Sequence, residues 1–271
     1  MSQYSIKITD AAGNVKFSDS AENFASLVVR EAYAEGDHIL VEVSEKGFVQ
    51  LQLDEVLGES LVYLTENICY TVPFGEQRYN LPPKAFDGAL HYLSVRKAEP
   101  EAVNCYRNLA YNRCDQHGIH GMYPHASANV ETRGESVFFA GNAIDGVLEN
   151  RGHGCWPFAS WGINRQDDAE LTIDFGREVI IDKAAVTIRA DFPHDNWWTQ
   201  VTLRFSDGSE EILPLEKTRF RQVFHMKKRK TVWVKFGSCI KADDPSPFPA
   251  LTQLELYGTE AAEENGQEAE K

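Results

Sequence analysis

The chain has 271 residues, enough to bury the core of one large domain or two of ordinary size. Its formal net charge of −14 argues against nucleic acid or an anionic membrane surface as a partner, since both select for clustered positive charge. No run approaches the roughly eighteen apolar residues of a membrane helix. The start, MSQYSIKITDAAG, has no basic segment leading into an apolar one, as a secretory signal would. Five scattered cysteines without CxxC spacing suit reduced thiols, so the expectation is a cytoplasmic protein.

Tyr4 to Thr9 alternates and reads as an edge strand. Asp19 and Glu22 then have capping-box spacing ahead of Phe24, Leu27 and Val28, which predicts a short N-terminal helix stopping at Gly36. From Asp37 the period changes to two. Ile39–Val43 and Phe48–Leu53, joined through Ser44–Gly47, predict a hairpin. Leu61–Leu64, Ile68–Val72 and Ala89–Val95 add three strands, punctuated by Pro73, Pro82, Pro83 and Gly88. Residues 1–100 therefore read as an all-β, jelly-roll-like sandwich. Glu99-Pro100-Glu101 reads as a linker whose cleavage should leave a folded fragment of about Asn104 to Gly258.

Residues 101–258 form the second predicted domain. Its strands are Val179–Ala190, Gln200–Phe205, Glu211–Leu215, Gln222–Met226, Thr231–Phe236 and Leu251–Tyr257, a spacing that suggests another sandwich. Ser206-Asp207-Gly208-Ser209 is a hairpin signal. The basic run Lys227 to Lys230 reads as a solvated turn between strands. Residues 259–271, rich in Glu and without an aromatic, read as a disordered acidic tail. The fold class is thus all-β, two sandwiches with one short helix.

Several stretches of this half match a known pattern. Asn142-Ala143-Ile144-Asp145-Gly146 is followed by Trp156, Trp161 and a strand ending Asp174-Phe175-Gly176; the last strand reads Gln253-Leu254-Glu255-Leu256-Tyr257-Gly258. Asn108-Leu109-Ala110 and Ala126-Ser127-Ala128-Asn129 match the opening strand, interrupted by an insertion from Tyr111 to Pro124. Together they resemble the coagulation-factor type C (discoidin-like) domain, a galactose-binding-like sandwich shared by many carbohydrate-binding modules. The resemblance implies a sugar ligand held by loops at one end of the sandwich. It also implies a structural calcium ion near the Asp-Gly loop, with Asp145 and Glu255 as ligands and backbone near Asn142 and Asn150. The family's closing strand often reads E-I-E-V-Y-G, so Gln253 leaves that site one carboxylate short.

Sugar recognition calls for flat apolar surface and fixed planar donors and acceptors. Two loops are dense in such residues: one with Trp156, Trp161, Asn164 and Arg165, the other with Arg189, Asp191, His194, Asp195, Asn196, Trp197 and Trp198. The adjacent tryptophans of the second loop should face opposite ways if extended, one into the core. His117, His120 and His125, after Cys114 and Asp115, match no established zinc spacing but offer acid–base groups. The reading is a non-catalytic carbohydrate-binding protein, with homo-oligomerisation left open. One alternative is a sugar-processing lyase or hydrolase with a site between the domains on the His117–His125 segment. Another is a protein-interaction module.

Overall fold

The computed structural model describes residues 3–261, and among them the chain is almost entirely β-structure. In the first half, β1 (Gln3–Thr9), β2 (Val15–Glu22), β4 (His38–Val43) and β7 (Ile68–Thr71) form one antiparallel sheet in the order β2-β1-β4-β7. A second sheet orders β10 (Met122–Tyr123), β6 (Ser60–Leu64), β5 (Gly47–Gln52), β8 (His91–Lys97) and β3 (Phe24–Val29). Ile6, Ile8, Ile39 and Val41 from the first sheet and Leu27, Val49, Leu51, Val62 and Leu93 from the second share one apolar core. Alternation places these residues on facing surfaces, as a sandwich requires.

Three expectations change here. The predicted helix is β2 and β3, turned at Asn23, which has φ +64°. Its buried residues are Ala25, Leu27 and Val29, a period of two, while Phe24 and Val28 are exposed. Asp19 accepts a hydrogen bond from the Ser26 amide across this pair instead of capping a helix. The hairpin from Ile39 to Leu53 has its strands in the right places but not paired: β4 and β5 belong to opposite sheets, and Ser44–Lys46 crosses between them. Finally, β1 is interior, paired with both β2 and β4.

The predicted linker is a single short helix, α1 (Pro100–Asn104), with proline in its first turn. The second half is built from β9 (Arg107–Asn108), β11 (His125–Ala128), β12 (Trp161–Gly162), β13 (Leu171–Ile188), β14 (Trp198–Phe205), β15 (Glu210–Pro214), β16 (Gln222–Lys241) and β17 (Ala250–Glu260). They make one sheet with the backbone order β12-β17-β13-β16-β14-β15, in which β9 also pairs with β17 and β11 with β13. Its core includes Trp161, Phe175, Val186, Trp198, Phe205, Phe236 and Leu254. The Ser206–Ser209 hairpin joins β14 and β15 as expected.

The basic run is not a turn. β16 continues through it, with a bulge where Arg229 faces Ile181 but His225 faces Lys183. The acidic tail begins later than expected, since β17 includes Thr259 and Glu260. Glu260 Oε1 and Oε2 accept hydrogen bonds from Arg177 at 2.8 Å each, and Oε1 also accepts one from Arg107. The tail beyond Ala261 lies outside the described residues. At Gly258 the strand runs so close to β13 that a Cβ would sit 1.8 Å from the Ile180 carbonyl oxygen, so no side chain fits there.

The insertion from Tyr111 to Pro124 joins the halves. Cys114, Ile119 and Met122 are buried in the first half's core, and Met122 and Tyr123 pair with Leu64 and Tyr63 as β10. Gln116 exchanges two hydrogen bonds with the Thr71 backbone, and Arg113 donates to the Leu57 and Asp145 carbonyls. All five cysteines are free. No helix among the described residues is long and apolar enough to cross a membrane.

Candidate functional site

The tryptophans expected to form a platform are turned away from solvent. Trp198 and Trp161 are fully buried; Trp161 donates its indole N–H to the Val130 carbonyl. Trp197 is half-buried against the same core, which agrees with the expected opposition of the pair but leaves no exposed ring. Trp156 is half-buried and its amide donates to the Tyr79 carbonyl in the first half. Depth in the fold, not residue type, decides whether an indole is a platform.

Arg189 and Asp195 form a buried ion pair. Arg189 Nε lies 2.9 and 3.0 Å from the two carboxylate oxygens and Nη2 lies 2.6 Å from Oδ1. Asp195 Oδ2 also accepts from the Asp191 amide, so the pair fixes the loop. Asn196 is buried, donates to the Ala242 carbonyl and accepts from the Trp197 amide. These three residues hold the loop's shape, and a buried fork–fork pair does this well because the geometry is bidentate.

What the loops present outward is a row of stacked planar groups. The His153 and His194 rings are parallel within 5°, centroids 4.2 Å apart. His194 stacks in turn on Phe248 at 5.4 Å and 9°. The Arg165 guanidinium lies over Phe248, 4.7 Å from its centroid. Behind the row, His153 Nδ1 is 2.7 Å from Asp191 Oδ2 and His194 Nδ1 is 3.0 Å from Asp195 Oδ1, which sets both ring planes. Arg165 reaches this position from an unusual backbone: Asn164 and Arg165 both have positive φ, +48° and +63°. The turn is held by hydrogen bonds from Asn164 N to Thr132 Oγ1 and from Gln166 N to the Ile163 carbonyl. Such left-handed pairs persist only where the surroundings enforce them.

These groups wall a cavity of about 500 Å³, together with Arg133, Pro247 and Pro249. Of the lining residues, the sequence pointed to Arg165, Arg189 and His194, with His153 and Asn164 in the same candidate loop as Arg165. Phe248 and Arg133 were not among its candidates; the signal available for Phe248 was an aromatic between two prolines just before the last strand.

His153, Asp191 and His194 also lie close enough together to suggest a metal. An imidazole binds a metal through a lone pair in the ring plane, and two parallel planes have no common point for one ion. The trio as built does not fit a metal.

Where the resemblance implies calcium, the structure has a different arrangement. Gln253 Nε2 lies 2.6 Å from the Asn142 carbonyl oxygen, 2.7 Å from Asp145 Oδ1 and 2.9 Å from the Thr252 carbonyl. Its Oε1 accepts from the Gly146 amide. The amide nitrogen thus stands among the oxygens a hard cation would need. Glu255 is turned elsewhere, paired with Arg221 and accepting from the Tyr257 hydroxyl. The two expected ligands are not brought together, and the residues present do not fit calcium. Burial pushes the Asp145 carboxyl up to about 7, against the hydrogen bonds from Val147 N and Gln253 that pull it down. Gly146, at φ +81°, is required here, since a Cβ would lie 2.5 Å from the Tyr111 ring.

A second cavity, of about 780 Å³, lies between the halves and is lined by Glu35, Phe74, Asp115, His117, Glu131 and Phe139 among others. His117, His120 and His125 do not converge on it. His117 stacks on Phe139 with Nδ1 3.2 Å from Glu131, while His125 sits behind Asp115, bonded at 2.7 Å. His120 is exposed.

No family model matches the chain, and no curated protein matches it. Solved structures do. Chitosan-binding module 1 of a chitosanase/glucanase from Paenibacillus sp. IK-5 is 17% identical, covering 56% of this chain and 98% of that one, with a TM-score of 0.39. The family 32 CBM of C. perfringens NanJ, solved with galactose, is 20% identical over 49% of this chain and 91% of that one, TM-score 0.37. A fucose binding module from Streptococcus pneumoniae is 12% identical over 57% and 96%, TM-score 0.40.

Proposed function

We propose that the chain binds carbohydrate without transforming it, at the cavity walled by His153, His194, Phe248 and Arg165. The observation that carries this is the stacked row itself. Four planar groups wall one cavity, and three of them, His153, His194 and Arg165, carry nitrogens for hydroxyl groups, which need orientationally fixed partners, while Phe248 offers a flat apolar face. Pro247, Pro249 and Ile163 supply apolar wall for C–H faces. The sequence resemblance to discoidin-like sugar-binding sandwiches supports the same end of the same sandwich. Among the lining residues there is no Asp, Glu, Ser or Cys, so neither the carboxylate pair of glycoside hydrolysis nor a serine or cysteine nucleophile faces the ligand.

Phe248→Ala tests the reading. The ring is only half-buried, so the fold should persist, while Arg165 and His194 lose the surface that positions them. Saccharide affinity, found on a glycan array and measured by calorimetry, should fall by about one to two orders of magnitude, as loss of a central aromatic does. Binding unchanged by the substitution, or no saccharide bound by the native chain, overturns it.

A further inference from the structure

We propose that the saccharide taken by this cavity is acidic, its carboxylate or sulfate group received by Arg165. The inference rests on the carbohydrate-binding reading above and names the ligand class of the same site. It follows from the charges and donors that face the cavity. Three lining side chains, Arg133, Arg165 and Arg189, carry only donors, and no lining side chain carries only acceptors. Two of the three guanidiniums are already matched: Arg189 by buried Asp195, and Arg133 by Glu135 at 2.5 and 2.7 Å. The nearby carboxylates are likewise committed, Asp191 to His153 and Asp195 to Arg189 and His194.

Arg165 is the exception. Among the described residues it has neither an ion-pair partner nor a hydrogen-bond acceptor, only the face of Phe248. With its central carbon 4.7 Å from the Phe248 centroid, the guanidinium rests on a ring and not on an acceptor, so its N–H groups are available for a charge-assisted bond to an oxyanion. The strained turn at Asn164 and Arg165 delivers the side chain to this spot. In a chain of net charge −14, Arg165 stands at the wall of a cavity with no carboxylate matched to it. The larger cavity between the halves shows the contrast, since it is lined by Glu35, Asp115 and Glu131 with no Lys or Arg.

The test is calorimetric titration of the full chain with matched pairs: galacturonate against galactose, glucuronate against glucose, and a galactose sulfate as a third arm. The acidic member should bind about tenfold tighter or more, as charge-assisted hydrogen bonds do. About 0.5 M salt should erode that preference. Arg165→Met, which keeps an apolar chain over Phe248, should lower affinity for the acidic member about tenfold more than for its neutral partner and so abolish the preference. The uronate and sulfate arms show which oxyanion is preferred. Equal affinity for acidic and neutral sugars, or equal loss of both in Arg165→Met, overturns the inference and leaves the binding site standing. If the native chain binds none of these sugars, both fall.

Discussion

At Asp145 a carboxyl is buried in the second half with an amide where the sequence resemblance expects a metal ion. Its pKa is raised from 3.8 to about 7 because burial penalises the charged form. A carboxyl raised in this way stabilises the fold while it holds its proton. The contribution is complete below about 3.8 and is lost as the pH rises through about 7. Between pH 4 and 7 the native chain should therefore lose stability relative to Asp145→Asn, by an amount on the order of a few kcal/mol. Parallel urea titrations of the two proteins across that range measure it; superimposable pH profiles would remove Asp145 from the account. The same melts should ignore added calcium and chelator at pH 7, whereas Gln253→Glu, which restores a carboxylate beside Asp145, should become calcium-responsive.

At the scale of elements, the insertion from Tyr111 to Pro124 is where sequence and structure part most. Met122 is fully buried in the first half's core, so Met122→Ala should cost about 2–5 kcal/mol. The loss should be visible as a lower denaturation midpoint with far-UV dichroism still β-type at rest; a neutral effect would mean that β10 is not part of that core. Nothing in the sequence of this stretch, with its glycines and histidines, announces a strand, because two residues of pairing carry no period. Longer strands were legible wherever apolar residues alternated, as in β13, β14 and β17. Pairing was not, because alternation reports which face is buried and not which neighbour lies beside it. That is why β4 and β5 read as a hairpin although they lie in opposite sheets. In β3 the residues Phe24, Leu27 and Val28 imitated helical spacing, while the buried set is Ala25, Leu27 and Val29. The candidate site was legible as two loops rich in planar residues. The groups that wall the proposed cavity were legible only in part, since four tryptophans of those loops pack inward and Phe248 belongs to a third loop distant in sequence.

Across the whole molecule, the halves share more than a boundary. Asn80 donates to Asn142, Ser136 Oγ to the Glu76 carbonyl and the Trp156 amide to the Tyr79 carbonyl, besides the insertion's own contacts. Arg177 lies 4.5 Å over Phe48 and 5.2 Å over Tyr63, and bonds Glu260 at the far end of β17. Calorimetry should accordingly show one unfolding transition, with calorimetric and van't Hoff enthalpies in agreement. Two resolved transitions, or a stable fragment from Asn104 to Gly258 after cleavage near Pro100, would show that the halves are independent after all.

The insertion has a consequence for how such a chain can be inherited. Cys114, Ile119 and Met122 follow the helix at Pro100 in the chain but complete the core that precedes it. A gene duplication or fusion that copied only the second half would carry those three apolar side chains into water, with no surface to receive them. The two sandwiches are therefore not interchangeable cassettes, and recombination between them should preserve the pair or break it.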